Sequence, residues 1–218
     1  MRRSEPSGRA PERRQRSDGR ASRERILDAT AQIAGERGFQ GTSINLVSER
    51  SGLPASSIYW HFANKDELLA AVVDRSYQQW SDAMSRSGAS SIDAGGESAL
   101  AVVLRQVGET LDDFPDFLRL GLLLILDRTP EGVTARRKFL DIRSDAIARA
   151  RSLYRLMFAD LDDHEIERLA TLTLVLLDGT FVARDAGPMS PEAAYELMMT
   201  ALLGTVEHLR VRKQSAPK

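Results

Sequence analysis

The side chains best suited to chemistry stand close together, in the run Ala55-Ser56-Ser57-Ile58-Tyr59-Trp60-His61, with Lys65 a turn further on. Short, hydroxyl-bearing residues admit a close approach to an edge or a phosphate, and hydroxyls, amides and ammonium groups are the usual donors to phosphate oxygens. Thr42, Ser43 and Asn45 lie just upstream with the same character. A second cluster, Asp160, Asp162, Asp163 and His164, has the acids and imidazole that hydrolysis would need. A loop acid immediately before a helix is, however, ordinary N-cap chemistry. Three histidines and no cysteine in the chain leave no metal pair or triad to assemble, and no phosphate-cradling Gly-rich loop with lysine is present. The expectation is a binding protein, not an enzyme, with no cofactor and no metal.

The elements that must hold these residues are helices. At 100° per residue, Ile58 and Phe62 fall within about 40° of each other, while Ser56 and Trp60 face the opposite way. A helix this short with Tyr59 and Trp60 turned outward calls for something flat and partly apolar to cover them. Ahead of it, Thr42 or Ser43 caps a short helix carrying Ile44 and Val47 on one face, ended by Ser51-Gly52-Leu53, and Pro54 suits the first turn of the next. The cap also brings the positive end of the second helix toward a phosphate. Before that, Ser22 is an expected N-cap for a helix with Ile26, Ala29, Ile33 and Ala34 at helical spacing, closed by Gly35 and Gly38. Phe39 then plugs a small core.

Longer helices are expected at Lys65 to Ser85, Ser98 to Phe114, Pro115 to Asp127, Pro130 to Phe158, His164 to Ala186 and Pro191 to Lys213, with a small-residue loop from Gly88 to Gly96. No alternating strand pattern and no fixed-period repeat is visible. The longest apolar stretch, Leu118 to Leu126, contains Arg119 and Gly121 and is far short of the ~20 residues that span a bilayer. The N-terminus lacks the apolar core of an export signal, and the absence of cysteine suits a reducing compartment, so a soluble cytoplasmic protein is expected.

The net charge of −1 hides an asymmetry. Between Met1 and Arg25 stand nine arginines against four acids, so this end is strongly basic and the remainder acidic. Such a distribution is expected where one end meets a polyanion. Residues 1–21, almost devoid of apolar side chains, are expected to form a flexible arm.

Three short helices with a tight Gly-containing turn between the second and third have the helix-turn-helix arrangement. The stretch from Phe39 to Leu68, above all Ile58-Tyr59-Trp60-His61-Phe62 followed by Asn64-Lys65-Asp66-Glu67-Leu68, closely resembles the DNA-binding domain of the TetR family. The resemblance covers roughly residues 22–70. Pro54 stands where the family often has a capping serine, and Ser56 where it often has glycine, so base preference does not carry over. The resemblance implies that Tyr59 lies in the major groove, Trp60 and His61 near the backbone, and Lys65 on a phosphate. Ala55, Ser56 and Ser57 supply the close approach, and Asn45, on the first turn of the second helix, is either a base contact or a plain surface residue.

The implied architecture is all-α: the basic arm at 1–21, a helix-turn-helix DNA-binding domain at 22–68, and a ligand-sensing and dimerisation domain at 69–218. By the same resemblance, helices 164–186 and 191–213 pair with their copies in a homodimer, and the protein is a repressor released from a palindromic operator in double-stranded DNA by a small-molecule effector. Candidate pocket residues, chosen as large apolar or polar-anchor side chains, are Trp80, Met84, Phe117, Leu120, Leu124, Tyr154, Phe158 and Phe181, with Asp127, Asp178 and Arg184. Plain core packing or a surface ion pair explains each of them better than a pocket does.

Overall fold

Helix follows helix wherever the chain is described, which in this computed structural model is residues 10–86, 96–113, 115–126 and 132–215. The elements are α1 (Ala10–Gly41), α2 (Ile44–Ser51), α3 (Ala55–His61), α4 (Lys65–Arg86), α5 (Gly96–Asp113), α6 (Pro115–Leu126), α7 (Val133–Met157), α8 (Asp163–Ala186) and α9 (Pro191–Ser215). Among the described residues there is no strand, and no helix is long and apolar enough to cross a membrane. The chain divides into two compact units. One comprises the residues up to Asp74 with those of 119–136, the other those of 75–118 and from Arg137 on.

The first unit closes around a small core of Ile26, Ile33, Phe39, Val47, Ile58, Phe62, Leu68 and Val72, all nearly or fully buried. α1 begins at Ala10, twelve residues before the expected cap at Ser22. Residues 10–21, expected as part of a flexible arm, are therefore helical, while 1–9 lie outside the described residues. The physical reason is local: Pro11 fits a first helical turn, and Glu12, Arg13, Arg14, Gln15 and Arg16 are good helix formers. The helix breaks at Gly38, whose φ of 68° is left-handed, the conformation only glycine takes at no cost. Phe39 then turns inward.

The α2–α3 turn is held by polar contacts. Ser43 caps α2 by accepting from the Leu46 N–H at 3.3 Å, and Gly52 ends it at φ 67°. The Ser48 hydroxyl donates to the Leu53 carbonyl at 2.7 Å, and Arg25 donates to the Ser51 carbonyl at 2.6 Å, fixing the turn to α1. Asn64 caps α4 through the Glu67 N–H at 2.9 Å, and Glu67 accepts from the Ala63 N–H at 2.7 Å.

The same unit holds the start of α7. The Asp66 carboxylate accepts the Thr134 and Ala135 N–H groups at 2.9 and 3.0 Å, which satisfies two orphan donors of a helix N-terminus with a negative charge. Gly132 sits at φ 77° beneath Phe39, where a Cβ would come within 3.0 Å of the ring. Arg136 donates to the Leu124 carbonyl at 3.0 Å. These contacts explain why 119–136 packs with the head of the chain. They also move the start of α7 from the expected Pro130 to Val133.

The second unit is built on α8 and α9, with α5 and α7 against them: Leu100, Tyr154, Phe158, Ile166, Leu169, Leu202 and Val206 are its buried centre. Asp162 and Glu165 form a reciprocal capping box at the start of α8.

Candidate nucleic-acid interface

α3 is seven residues long and spends only Ile58 on the core. Ile58 is fully buried and Phe62 nearly so, while Tyr59 is 56% and Trp60 76% exposed. Two large aromatics turned to solvent from so short a helix are costly unless covered, since apolar area removed from water is worth about 25 cal/mol per Å². Ser56 is exposed beside them, and Ala55 and Ser57 are half-buried. Ser43 and Asn45 are exposed at the start of α2. The surface formed by Ser43, Asn45, Ser56, Tyr59 and Trp60 thus combines hydroxyl, amide, phenol and indole groups.

Thr42 departs from the expectation. It is 1% exposed and its hydroxyl donates to the Gly38 carbonyl at 2.8 Å, so it closes the α1 bend and offers nothing to a ligand. Lys65 is half-buried, its ammonium 3.3 Å from the Phe39 carbonyl and 4.3 Å above the Phe39 ring. Both contacts hold the side chain at the junction of α1 and α4.

His61 is half-buried, edge-on to Trp60 at 4.5 Å. Burial, and secondly the positive charge of Arg23, hold its imidazole below the ordinary histidine range, so it is neutral at neutral pH. Arg23 itself lies 5.3 Å over the Phe62 ring. Arg23, Arg25 and Asp66 went unnoticed as site supports, because nothing local in the sequence marks a partner on another helix.

The acid cluster is consumed by structure. Asp160 takes Arg210 at 2.8 Å, Asp162 caps α8 and Asp163 takes Arg155 at 2.9 Å. Arg210 holds the Asp160 carboxyl below its usual range, and the Glu165 N–H does the same for Asp162. Among the described residues no group of three metal-ligating side chains is present.

The candidate effector residues have different surroundings. Trp80 and Phe117 stack at 6.2 Å in an aromatic cluster with Tyr77 and Phe139. Tyr154 and Phe158 are core, the Tyr154 hydroxyl 2.6 Å from that of Thr173, and burial raises its pKa. Asp178 is tied bidentately to Arg143 at 2.8 and 2.7 Å. Leu120 and Leu124 are buried in the other unit, Met84 is half-buried on α4, and Asp127 lies outside the described residues. Only Phe181 and Arg184 line the cavity of about 340 Å³ between α5, α8 and α9, with Leu104, Leu177, Tyr195 and Met198. Large apolar side chains do not announce whether they line a void or fill one.

Comparison with known proteins finds a likeness in the head. Residues 26–72 match the model of the bacterial regulatory proteins, tetR family. The chain is 30% identical over 95 residues to the HTH-type transcriptional regulator TtgR of Pseudomonas putida, covering 44% of this chain and 45% of that one. It is 33% identical over 60 residues to the HTH-type transcriptional repressor KstR of Mycolicibacterium smegmatis, 28% of this chain and 29% of that one. The matched stretch therefore spans less than half of either relative. The fold extends further. A transcriptional regulator from Pseudomonas aeruginosa PAO1 superposes with a TM-score of 0.68 at 20% identity, over 94% of this chain and 96% of that one. The fatty acid degradation regulator FadR from Bacillus halodurans gives 0.67 at 19% identity, over 84% and 95%.

Proposed function

We infer, for a chain whose helix-turn-helix head matches the model of the tetR family of bacterial regulatory proteins, that it is a transcriptional repressor which grips a palindromic operator as a homodimer and lets go when a small molecule binds its C-terminal unit. The observation that carries this is the outward face of α3, where Tyr59 and Trp60 stand exposed over a core formed by Ile58 and Phe62. α3 enters the major groove with Ala55, Ser56 and Ser57 leading, Tyr59 against thymine methyls or a phosphate, and Trp60, Lys65 and the α2 end at Ser43 on the backbone. His61 supports Trp60 from behind.

Dimerisation is supported by apolar side chains left in water on the α8–α9 pair. Val175 and Val182, seven residues apart on one face of α8, are 58% and 52% exposed, and Leu197 on α9 is 49% exposed. Pairing this face with its copy removes that surface from water and sets two α3 helices one helical turn of DNA apart, about 34–36 Å. The repressor reading follows KstR, a transcriptional repressor. The cavity between α5, α8 and α9 is the place for an effector, which releases DNA only if it binds the two conformations unequally.

Selection of bound duplex from a random pool, at a salt concentration that suppresses non-specific phosphate binding, tests this reading. It predicts recovery of a palindrome with two half-sites. A dimer that enriches no sequence contradicts it.

A further inference from the structure

We propose that the cavity between α5, α8 and α9 takes a lipophilic cation, an apolar body ending in an ammonium group, whose charge is received by Glu109 and Glu196 where the cavity meets solvent. This deepens the effector reading above and rests on it for the release of DNA. All three helices lie in the second unit. The volume of about 340 Å³ is near the small end of the ~300–1,000 Å³ usual for small-molecule pockets, room for a ring with a short chain. Gly108 contributes to that room: it lies inside α5 and lines the cavity, and a Cβ there would meet nothing within 4 Å beyond its own turn of helix. Glycine in a helix interior weakens the helix, so the space is kept at a cost in stability.

The walls are apolar and have no proton to give. Leu104, Leu111 and Met198 are nearly buried, with Phe181 and Tyr195 half-buried beside them. Both lining hydroxyls are spent on the main chain, Thr180 donating to the Leu176 carbonyl at 2.8 Å and Tyr195 to the Ala101 carbonyl at 3.3 Å. A ligand carbonyl or carboxylate placed among them would lose water and gain no donor. The charged lining residues Arg105, Glu109, Glu192 and Glu196 are exposed, and Arg184 is half-buried. Both guanidiniums are engaged. Arg105 lies 5.2 Å over the Tyr195 ring, which shows that this ring takes a cation on its face. Arg184 sets its charge against Glu192, whose carboxyl is held below its usual range by its own N–H, by the Ser190 hydroxyl and then by Arg184. Among the described residues no hydrogen bond or ion pair engages Glu109 or Glu196. Two uncommitted carboxylates at the edge of an apolar cavity are the complement of a cation on an apolar body.

The test titrates the full chain with three probes of similar size, phenylbutylammonium, phenylbutanol and phenylbutyrate, and reads binding by calorimetry at neutral pH. The ammonium should bind about tenfold tighter than the alcohol, the margin of a charge-assisted hydrogen bond over a neutral one, and the butyrate most weakly. Glu109→Gln combined with Glu196→Gln should erase the preference for the ammonium and leave the affinity for the alcohol unchanged. Gly108→Leu, whose side chain enters the open space, should abolish binding of all three probes while helical content is kept. Equal affinity for ammonium and alcohol overturns the proposal, as does a preference for the butyrate or a chain that binds no probe. A preference that survives the double glutamine variant, or binding that survives Gly108→Leu, also overturns it by placing the cation elsewhere. Operator affinity is measured separately, with and without the ammonium. Selective, Gly108-dependent cation binding that leaves operator affinity unchanged upholds the site and overturns the effector reading alone.

Discussion

α3 and α8 use apolar side chains in opposite ways. α3 buries Ile58 and displays Tyr59 and Trp60, so every residue of a seven-residue helix has one task and the outward ones are legible as a binding surface. α8 buries Ile166, Leu169, Ala170 and Leu174 yet still exposes Val175 and Val182, so its apolar character is spread round the helix. The head is read residue by residue. The body is read only as faces, because a leucine that fills a core and one that lines a cavity look alike in sequence.

This contrast can be broken most forcefully at Ile58. Ile58→Ala should cost about 2–5 kcal/mol, since it leaves a cavity in a small core with little to collapse into it. Amide hydrogen exchange should then show α2 and α3 opening while the centre of α8 and α9 stays protected. Uniform loss of protection throughout would mean that head and body share one stability. In the body, Asp178→Asn removes the carboxylate that holds Arg143, a pair with both side chains 22% exposed. The expected loss is about 1–2 kcal/mol, measured by chemical denaturation, because a half-buried guanidinium loses its charged partner but remains within reach of water.

Matched caps sharpen the comparison. Ser43→Ala and Asp162→Ala each remove an N-cap and should each lower stability, Ser43→Ala by about 1 kcal/mol. Operator affinity should fall for Ser43→Ala alone, since Ser43 stands on the proposed DNA face and Asp162 does not. The smallest effect is on pH dependence. His61 titrates below its unfolded value near 6.5 because it is partly buried beside Arg23, so the unfolded chain binds its proton first and stability falls as pH drops below that value. His61→Gln should flatten this part of the stability profile. An unchanged profile would assign the acid sensitivity elsewhere.

What could be read in advance followed from range. The helix-turn-helix was legible because its signals lie within a few residues: a hydroxyl cap at Ser43, glycine at Gly52, and the inward pair Ile58 and Phe62. The Asp66 cap on Thr134 and Ala135 and the Phe39 ring over Gly132 join residues dozens of positions apart. No local period announces such contacts. Thr42 and Ser43 show how narrow the margin is, since both hydroxyls suit a cap and the bend at Gly38 turns one inward. The scatter of Trp80, Tyr154 and Asp178 among a cluster, a core and an ion pair has the same origin, packing decided by partners that the helix pattern leaves open.

The most direct measurement is the affinity of Tyr59→Ala for the selected operator duplex, taken beside its helical content and its dimer mass in solution. The account predicts an intact dimer of unchanged helicity that has lost operator binding by roughly 1–3 kcal/mol per half-site, the worth of a good base contact. Full affinity in a folded dimer would remove Tyr59 from the interface and, with it, the outward face of α3 as the site where this protein meets DNA.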